Sequence, residues 1–355
     1  MSPRITVVCG SGGVGKTTTS AAIGLAAARA GERVLVVTVD PARRLAQALG
    51  AGEIGHEPVS IECDGPGTLQ VSMLDTKAGW DSLIRRHARD AATAERILRN
   101  PLYDNITSRF VDSHDYIAME QVNELSGRGD LDLVVIDTPP SRNALDLLDA
   151  PRRMREFFGG RLLQWLTLPY RSRVLSLASR PFLQIADRLL GAKFLGDIVE
   201  FFTLLQSMEA GFVRRARDVE ALLTSERVQF TVVTTAEPAA STEALHLVSE
   251  LRARRYDVER IVVNRVEPTP GSPAESLPGA PEVASRAQMT HEAPALSALA
   301  DIRHAHGRRT ATAARHAARV SALAAAGARV TVVNESRADV GAGALEEIAT
   351  VVSRG

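Results

Sequence analysis

The stretch Ile5–Ser20, ITVVCGSGGVGKTTTS, decides the fold. Its first residues are apolar and mostly β-branched, which is typical of a short buried strand. The next residues, Gly10–Thr17, fit the pattern G-x-x-x-x-G-K-[ST], and an alanine-rich helix is predicted to begin at about Thr17. In this strand, loop and helix context the glycines let backbone N–H groups converge on phosphate oxygens. The alternative, a tight turn that binds nothing, is disfavoured because both flanks have the required pattern.

The loop Gly10–Thr17, hereafter the P-loop, predicts a site for nucleotide phosphates and Mg²⁺. Lys16 is expected to reach the β- and γ-phosphates, and Thr17 is expected to bind Mg²⁺. The N-terminus of the following helix adds a partial positive charge. The pattern is not repeated, so one site per chain is expected. The predicted phosphate-binding residues are Gly10, Ser11, Gly12, Gly13, Val14, Gly15, Lys16, Thr17 and Thr18.

The composition is typical of a soluble globular protein, with 355 residues, 45% of them hydrophobic and 24% charged. The formal net charge of zero argues against a general binder of nucleic acid or of anionic membranes. Cys9 and Cys63 form no C-x-x-C pair, so neither a zinc site nor a disulfide framework is expected. Without a charged and apolar leader or an apolar run of 18 residues, we expect a cytoplasmic protein with no stable membrane insertion.

Two aspartates are predicted at the ends of buried strands. Glu32–Asp40 ends on Asp40, which either orients an attacking water and accepts its proton or caps the helix after Pro41; both roles can hold. Leu131–Asp137 ends on Asp137, and an aspartate at such a position holds Mg²⁺ in P-loop proteins. Strands alternate with helices along the whole chain. The fold class expected is therefore α/β, a doubly wound and mainly parallel sheet.

The predicted organisation is a single domain, residues 1–355, that carries a helical insertion formed by residues 76–130 and 151–225. The second of these segments is rich in large apolar residues. It either packs on itself and the sheet or offers a groove to a hydrophobic protein client. Residues 268–288 are rich in Pro, Gly, Ser and Ala and are predicted to form a flexible loop. His304, His306 and His316 share one helical stretch without a supporting carboxylate pattern, and we expect them to be exposed.

Several motifs together resemble those of the deviant-Walker NTPases, and within them the family of the arsenite-pump ATPase and the tail-anchored-protein-targeting ATPase. The resemblance runs nearly the full length and is strongest to bacterial, particularly actinobacterial, members with a single P-loop. Its most specific parts are GSGGVGKTTT at 10–19, DPARRLAQALG at 40–50, IDTPPSRNALDLLDAP at 136–151, TTAEPAASTEA at 234–244 and VVNR at 262–265.

The resemblance implies an ATPase in which Asp40 and Lys16 are catalytic. It places Asn264 on the adenine and Glu237 on the nucleotide or on a partner subunit, with Arg265 beside them. The absence of an N/T-K-x-D guanine-reading tetrad favours ATP over GTP. The Mg²⁺ ligands implied are Thr17, Asp40 and Asp137.

The chain departs from the family pattern at Ser11, where the family has a lysine that reaches across a dimer to the partner's phosphates. A neutral hydroxyl cannot supply that charge. We therefore expect either a homodimer or, favoured, a heterodimer with a paralogous ATPase that keeps the lysine. The zinc-binding C-x-x-C and the metalloid-binding cysteines of the family are also missing, so no zinc is expected.

Two other functions compete with a dimeric ATPase that couples turnover to partner binding. The first is a non-enzyme, a nucleotide-stabilised binding subunit with negligible turnover of its own. Intact Lys16, Asp40 and Asp137 argue against it. The second is a positioning ATPase that binds membranes or DNA, which would need a basic amphipathic C-terminal helix or a basic face. The closing segment GALEEIATVVSRG is acidic and short, so this function ranks last.

Overall fold

The computed structural model describes residues 2–39, 44–50, 52, 54–103, 113–139, 144–158, 200–270, 280–286, 293–335 and 342–354. The predicted catalytic residue Asp40 lies outside the described residues, as does most of the apolar segment 151–225. Within the described ranges, no helix is both long enough and apolar enough to cross a membrane.

The architecture is a sheet of eight strands covered by helices on both faces. The strands, β1 to β8 in chain order, are Arg4–Cys9, Arg33–Thr38, Val59–Ile61, Thr68–Met73, Leu133–Asp137, Val228–Thr235, Asp257–Val266 and Arg329–Asn334. The helices, α1 to α11 in chain order, are Lys16–Arg29, Arg44–Leu49, Thr76–His87, Ala91–Leu98, Ser113–Leu125, Ala144–Phe158, Glu209–Leu223, Pro238–Ala253, Ala280–Arg286, Ala293–Ala324 and Ala342–Arg354.

The strand order across the sheet is β3-β4-β2-β5-β1-β6-β7-β8. Every described pair is parallel except β3 with β4, which is antiparallel. The chain winds outward in one direction from β1 and then returns to wind in the other. This reversal of winding beside β1 is where doubly wound sheets bind ligands, outside the carboxyl ends of the strands. The predicted fold class is confirmed.

The register of the central strands brings the predicted site residues together. Asp137 at the end of β5 lies opposite Val8 of β1 on one side and opposite Thr38 of β2 on the other. Asn264 of β7 lies opposite Thr235, the last residue of β6. Because all these strands are parallel, their carboxyl ends and the P-loop lie at one edge of the sheet.

Two hydrophobic clusters fill the spaces on the two sides of the sheet. The smaller cluster includes Ala21 and Leu25 of α1 and Ile348 of α11. The larger cluster lies under the other helices and includes Tyr116 of α5 and Phe212 of α7. The central strands contribute to both clusters, as expected for parallel strands that are buried on both faces. Helices α3, α5, α6 and α7 also contact one another beside the sheet.

Helical structure in the predicted segment 76–130 begins and breaks where side chains can cap it. Asp75 accepts a hydrogen bond from the Ala78 amide at the start of α3, and Asp90 accepts one from the Thr93 amide at the start of α4. These caps satisfy amide groups that the first turn of a helix leaves unpaired. The sequence predicts the break near Pro101 but not the one at Asp90.

Other details differ from the sequence-based expectations. β3 was not predicted, because a strand of three residues at a sheet edge has too little periodicity to detect. Residues Ala280–Arg286 form α9 inside the predicted loop 268–288, with Pro281 at its second position, where a helix tolerates the missing N–H. Pro151 lies inside α6, not before it.

The prediction of three exposed histidines is wrong for His316. His304 is exposed and His306 is half-buried, whereas the side chain of His316 is only 12% exposed. α10 contacts β7, β8 and α8, and His316 lies on the face that it turns toward them. The sequence of this helix alone does not show which of its faces is covered.

Candidate functional site

The P-loop backbone requires glycine at its first position. Gly10 has a φ of 148°, and a Cβ added there would lie 2.1 Å from the carbonyl oxygen of Val233 on β6. Gly13 and Gly15 also have positive φ, 77° and 98°. L-residues with a side chain rarely adopt these values, so the glycines in the motif reflect the path of the loop.

Asn264 at the end of β7 supports the P-loop from the side. Its Nδ2 donates a hydrogen bond to the Val14 carbonyl at 2.9 Å, and its Oδ1 accepts one from the Arg265 amide at 2.9 Å. A Cβ on Gly15 would lie 2.3 Å from this Nδ2. The Asn264 side chain therefore packs directly against the loop, in a place that only glycine leaves open.

Lys16 is the first residue of α1 and is buried. Its Nζ donates a hydrogen bond to the Ser11 carbonyl at 2.9 Å, so the ammonium group lies across the P-loop. No acidic residue occupies the first turn of α1, and among the described residues no side chain caps it. The ammonium group and the N-terminus of α1 therefore place positive potential on the loop, which favours an anion.

Asp137 is completely buried and collects hydroxyl groups. Ser20 donates to its Oδ1 at 3.2 Å, Thr38 donates to its Oδ2 at 3.0 Å, and the Thr17 hydroxyl also donates to it. Burial raises the pKa of Asp137 to about 6, while the hydroxyl groups and the charge of Lys16 oppose the rise. A buried carboxylate with a raised pKa beside the P-loop is a candidate functional residue.

The donors around Asp137 fit Mg²⁺. The Asp137 carboxylate and the Thr17 hydroxyl are hard oxygen donors in direct contact. Mg²⁺ is typically bound through one or two carboxylates together with substrate phosphates and water. The described residues contain no cluster of three or more His, Cys, Asp or Glu side chains suited to a metal ion. One carboxylate and one hydroxyl match the small number of protein ligands that Mg²⁺ takes when a phosphate and water complete its shell.

The other predicted site residues surround this centre at different distances. Ser11 and Thr18 are half-buried, and Gly12 is exposed at the top of the loop. Glu237, before the first residue of α8, is largely exposed, with 69% of its side chain accessible. Arg265 is exposed and has a φ of 54°. Asn264 contacts the P-loop at Val14, and Asp137 contacts it at Thr17, whereas Glu237 and Arg265 lie at neighbouring strand ends.

Two residues of the site were missed at the sequence level. The Ser20 hydroxyl also donates to the Lys16 carbonyl at 3.0 Å, one helical turn earlier on α1. Thr38 ends β2 and lies opposite Asp137 in the parallel register. The i+4 spacing from Lys16 and the position at a strand end were usable signals for these two residues.

Cys9 is the last residue of β1, directly before the P-loop. Its Sγ is 3.7 Å from the Thr231 carbonyl, and burial raises the pKa of its thiol to about 12. Cys63 is a free thiol on the same face as α1 and is half-buried. Both cysteines are free thiols.

A family model described as anion-transporting ATPase matches residues 3–276 of this chain. The matched range contains the P-loop, Asp137 and the strand ends at Glu237 and Asn264. The chain belongs to the anion-transporting ATPase family. The family expected from the sequence motifs is confirmed.

Individual relatives of the anion-transporting ATPase family agree with this membership. An uncharacterized protein of Streptomyces coelicolor is 28% identical, over 77% of this chain and 65% of its own length. ATPase ASNA1 homolog 1 of Paramecium tetraurelia is 28% identical over 73% of this chain and 74% of its own length. ATPase GET3 of Malassezia globosa is 26% identical over 75% of this chain and 74% of its own length. The chain thus matches slightly less than two thirds of the Streptomyces protein.

Proposed function

We propose that this member of the anion-transporting ATPase family binds Mg-ATP at the P-loop and hydrolyses it. The observation that carries the proposal is the pairing of two buried charges at one loop. The Lys16 ammonium group lies against the Ser11 carbonyl, and the Asp137 carboxylate contacts the Thr17 hydroxyl one residue farther along the chain. A triphosphate and a divalent cation are the ligands that a lysine and an aspartate bind at such a loop in P-loop NTPases.

Each polar group has a role in this proposal. Lys16 and the backbone amides of residues 10–18 bind the phosphates and stabilise the charge that develops on them. Thr17 and Asp137 hold Mg²⁺, whose contribution is to neutralise charge on the phosphate oxygens. Asp40 is proposed as the carboxylate that orients the attacking water and as a further group on the Mg²⁺ side.

The nucleobase is proposed to lie beyond the ends of β6 and β7. An asparagine amide has two N–H groups and two lone-pair positions, and Asn264 uses one of each within the protein. One donor and one acceptor remain for the edge of adenine. Glu237 and Arg265, at the adjacent strand ends, are proposed to contact the nucleotide or a partner subunit.

The active form is proposed to be a dimer, with a paralogous ATPase favoured as the second subunit. Ser11 is half-buried in the P-loop, and its backbone carbonyl is the acceptor for Lys16. The serine hydroxyl carries no charge, so a cation for the transition state must come from elsewhere. A paralogue with lysine at this position would supply it.

The helical segments 76–130 and 151–225 are proposed to bind a hydrophobic client.

The neutral Ser11 also supports the second candidate function, a binding subunit that holds nucleotide with negligible turnover. Phosphate release from ATP by the purified chain, with nucleotide binding measured in parallel, separates the two functions. Ser11→Lys is compared with Ser297→Lys, which adds the same charge at an exposed position of α10.

An ATPase limited by the missing cation should gain turnover in Ser11→Lys and not in Ser297→Lys. A gain of about tenfold or more is expected from a transition-state cation. Tight ATP binding without turnover in wild type and in both variants would favour the binding subunit. Rapid turnover by the wild-type homodimer would contradict the requirement for a paralogue.

A further inference from the structure

His316, on the long helix α10, contacts the strand end that carries Asn264. The backbone amide of Glu267, three residues after Asn264, donates a hydrogen bond to the His316 Nδ1 at 3.0 Å. Because Nδ1 accepts this bond, the neutral ring carries its hydrogen on Nε2. The 12% exposure of the side chain shows that this contact is enclosed by protein.

The other ring nitrogen of His316 faces the neighbouring strand end. Its Nε2 lies 3.9 Å from an Oε1 of Glu237, the residue before α8. The distance is too long for a hydrogen bond, but Glu237 is largely exposed and a change of rotamer would close the gap. One imidazole is thus hydrogen-bonded to the turn after β7 and faces the turn after β6.

Two arginines of α10 contact the same region, one at the turn after β7 and one at the first turn of α8. Arg309 is two helical turns before His316 and on the same face, and it forms an ion pair with the Glu267 carboxylate at 2.5 Å. Arg319 is one turn after His316, and its Nη1 lies 3.5 Å from the Ser241 hydroxyl in the first turn of α8. One face of α10 therefore contacts Glu267 after β7 at two points and the first turn of α8 at one.

We propose that His316 is a positioning residue for the nucleobase side of the site. By holding the Glu267 amide and facing Glu237, it fixes the two turns between which the adenosine part of the nucleotide is bound. It acts through those turns and does not touch the phosphates. This inference rests on the proposed function, because it requires that nucleotide binds at the P-loop and extends toward Asn264.

The test compares two ligands, Mg-ATP and Mg-tripolyphosphate, which has the phosphates but no nucleoside. Dissociation constants are measured by calorimetry for wild type, His316→Ala and the control His304→Ala, which removes an exposed histidine from the same helix. His316→Ala should bind ATP about 3- to 10-fold more weakly, the effect of one or two lost hydrogen bonds. Tripolyphosphate affinity should be unchanged in both variants.

Two conservative variants test which ring nitrogen matters. An asparagine side chain places its Oδ1 near the position of Nδ1, so His316→Asn can still accept from the Glu267 amide. A glutamine reaches farther and replaces only the Nε2 donor toward Glu237. His316→Asn is expected to keep ATP affinity within about twofold of wild type, while His316→Gln should resemble His316→Ala. Both remain informative if the alanine variant fails to fold.

The outcomes distinguish this inference from the proposed function. Suppose that Lys16→Ala binds neither ATP nor tripolyphosphate, while His316→Ala binds ATP as tightly as wild type does. His316 then has no positioning role, and the P-loop assignment stands. If His316→Ala weakened the binding of ATP and of tripolyphosphate equally, His316 would have a general structural role, which would also overturn the inference. If Lys16→Ala binds ATP as tightly as wild type, the proposed function itself is wrong.

Discussion

Asn264 donates a hydrogen bond to the Val14 carbonyl at 2.9 Å, across 250 residues of sequence. This bond joins the end of β7 to the P-loop, so a residue expected on the adenine side also supports the phosphate side. Its amide is close enough to Gly15 that a Cβ there would lie 2.3 Å away. The two halves of the nucleotide site are thus connected through one side chain.

The substitution Asn264→Ala is therefore expected to weaken the binding of tripolyphosphate as well as the binding of ATP. The variant leaves the Val14 carbonyl without its partner and opens a space beside Gly15, at a cost of about 1–3 kcal/mol in the free energy of unfolding. Calorimetry with both ligands and thermal denaturation measure these effects. Normal tripolyphosphate affinity in Asn264→Ala would mean that Asn264 acts on the base alone.

The glycines of the P-loop should differ in their tolerance of alanine. Gly10→Ala places a Cβ 2.1 Å from the backbone oxygen of Val233, which cannot move without disturbing β6, so a loss of about 3 kcal/mol or more is expected. Gly13→Ala meets no atom within 4 Å and bears only the strain of φ 77°, about 1–2 kcal/mol.

Gly52→Ala is the control for this series, since Gly52 is exposed, has no atom within 4 Å of its added Cβ and has no positive φ. Its stability should stay within about 0.5 kcal/mol of wild type. Chemical denaturation of the three variants gives the order of their free energies of unfolding directly. Equal effects at Gly10 and Gly13 would contradict the path of the P-loop described above.

Asp137→Asn should separate stability from cation binding. The amide keeps the shape of the carboxylate but removes a fully buried charge, so the nucleotide-free protein should become more stable by about 1–3 kcal/mol. Nucleotide binding should lose its dependence on Mg²⁺, because the amide is a poor ligand for that ion. Thermal denaturation without ligand and ATP binding with and without Mg²⁺ measure both effects. A destabilised variant that still responds to Mg²⁺ would contradict this account of Asp137.

The two cysteines should react differently with alkylating reagents. The thiolate is the reactive form, and because burial raises the pKa of Cys9 to about 12, its thiol stays protonated at pH 8. Cys63 is half-buried and open to reagent. Mass spectrometry after iodoacetamide treatment should show one modified cysteine in the native protein and two in denaturant. The Cys63→Ser variant should show none until it is unfolded, and native labelling of Cys9 would place it at the surface.

The sheet was largely predictable from the sequence because its central strands are continuous apolar runs that end at polar residues. The predicted strands Glu32–Asp40 and Leu131–Asp137 extend only one or two residues beyond β2 and β5. The P-loop and Asp137 were predictable for the same reason, since parallel strands place their carboxyl ends at one edge. A local pattern of this kind needs no knowledge of distant contacts.

The remaining features depend on contacts between distant segments. The bond between Asn264 and Val14 and the burial of His316 arise from how β7 and α10 pack, and neither residue has a neighbour in sequence that reveals it. The edge strand β3 was missed because it is only three residues long. The role proposed for Asp40 remains a prediction, since that residue lies outside the described part of the chain.

The most direct test of the central claim is calorimetric binding of Mg-ATP to wild type, Lys16→Ala and Lys77→Ala. Lys77 is an exposed lysine on α3, so its variant removes the same charge away from the P-loop. If the P-loop is the nucleotide site, Lys16→Ala should lose about tenfold or more in affinity while Lys77→Ala binds as wild type does. Unchanged binding in Lys16→Ala, with the protein folded, would contradict the account.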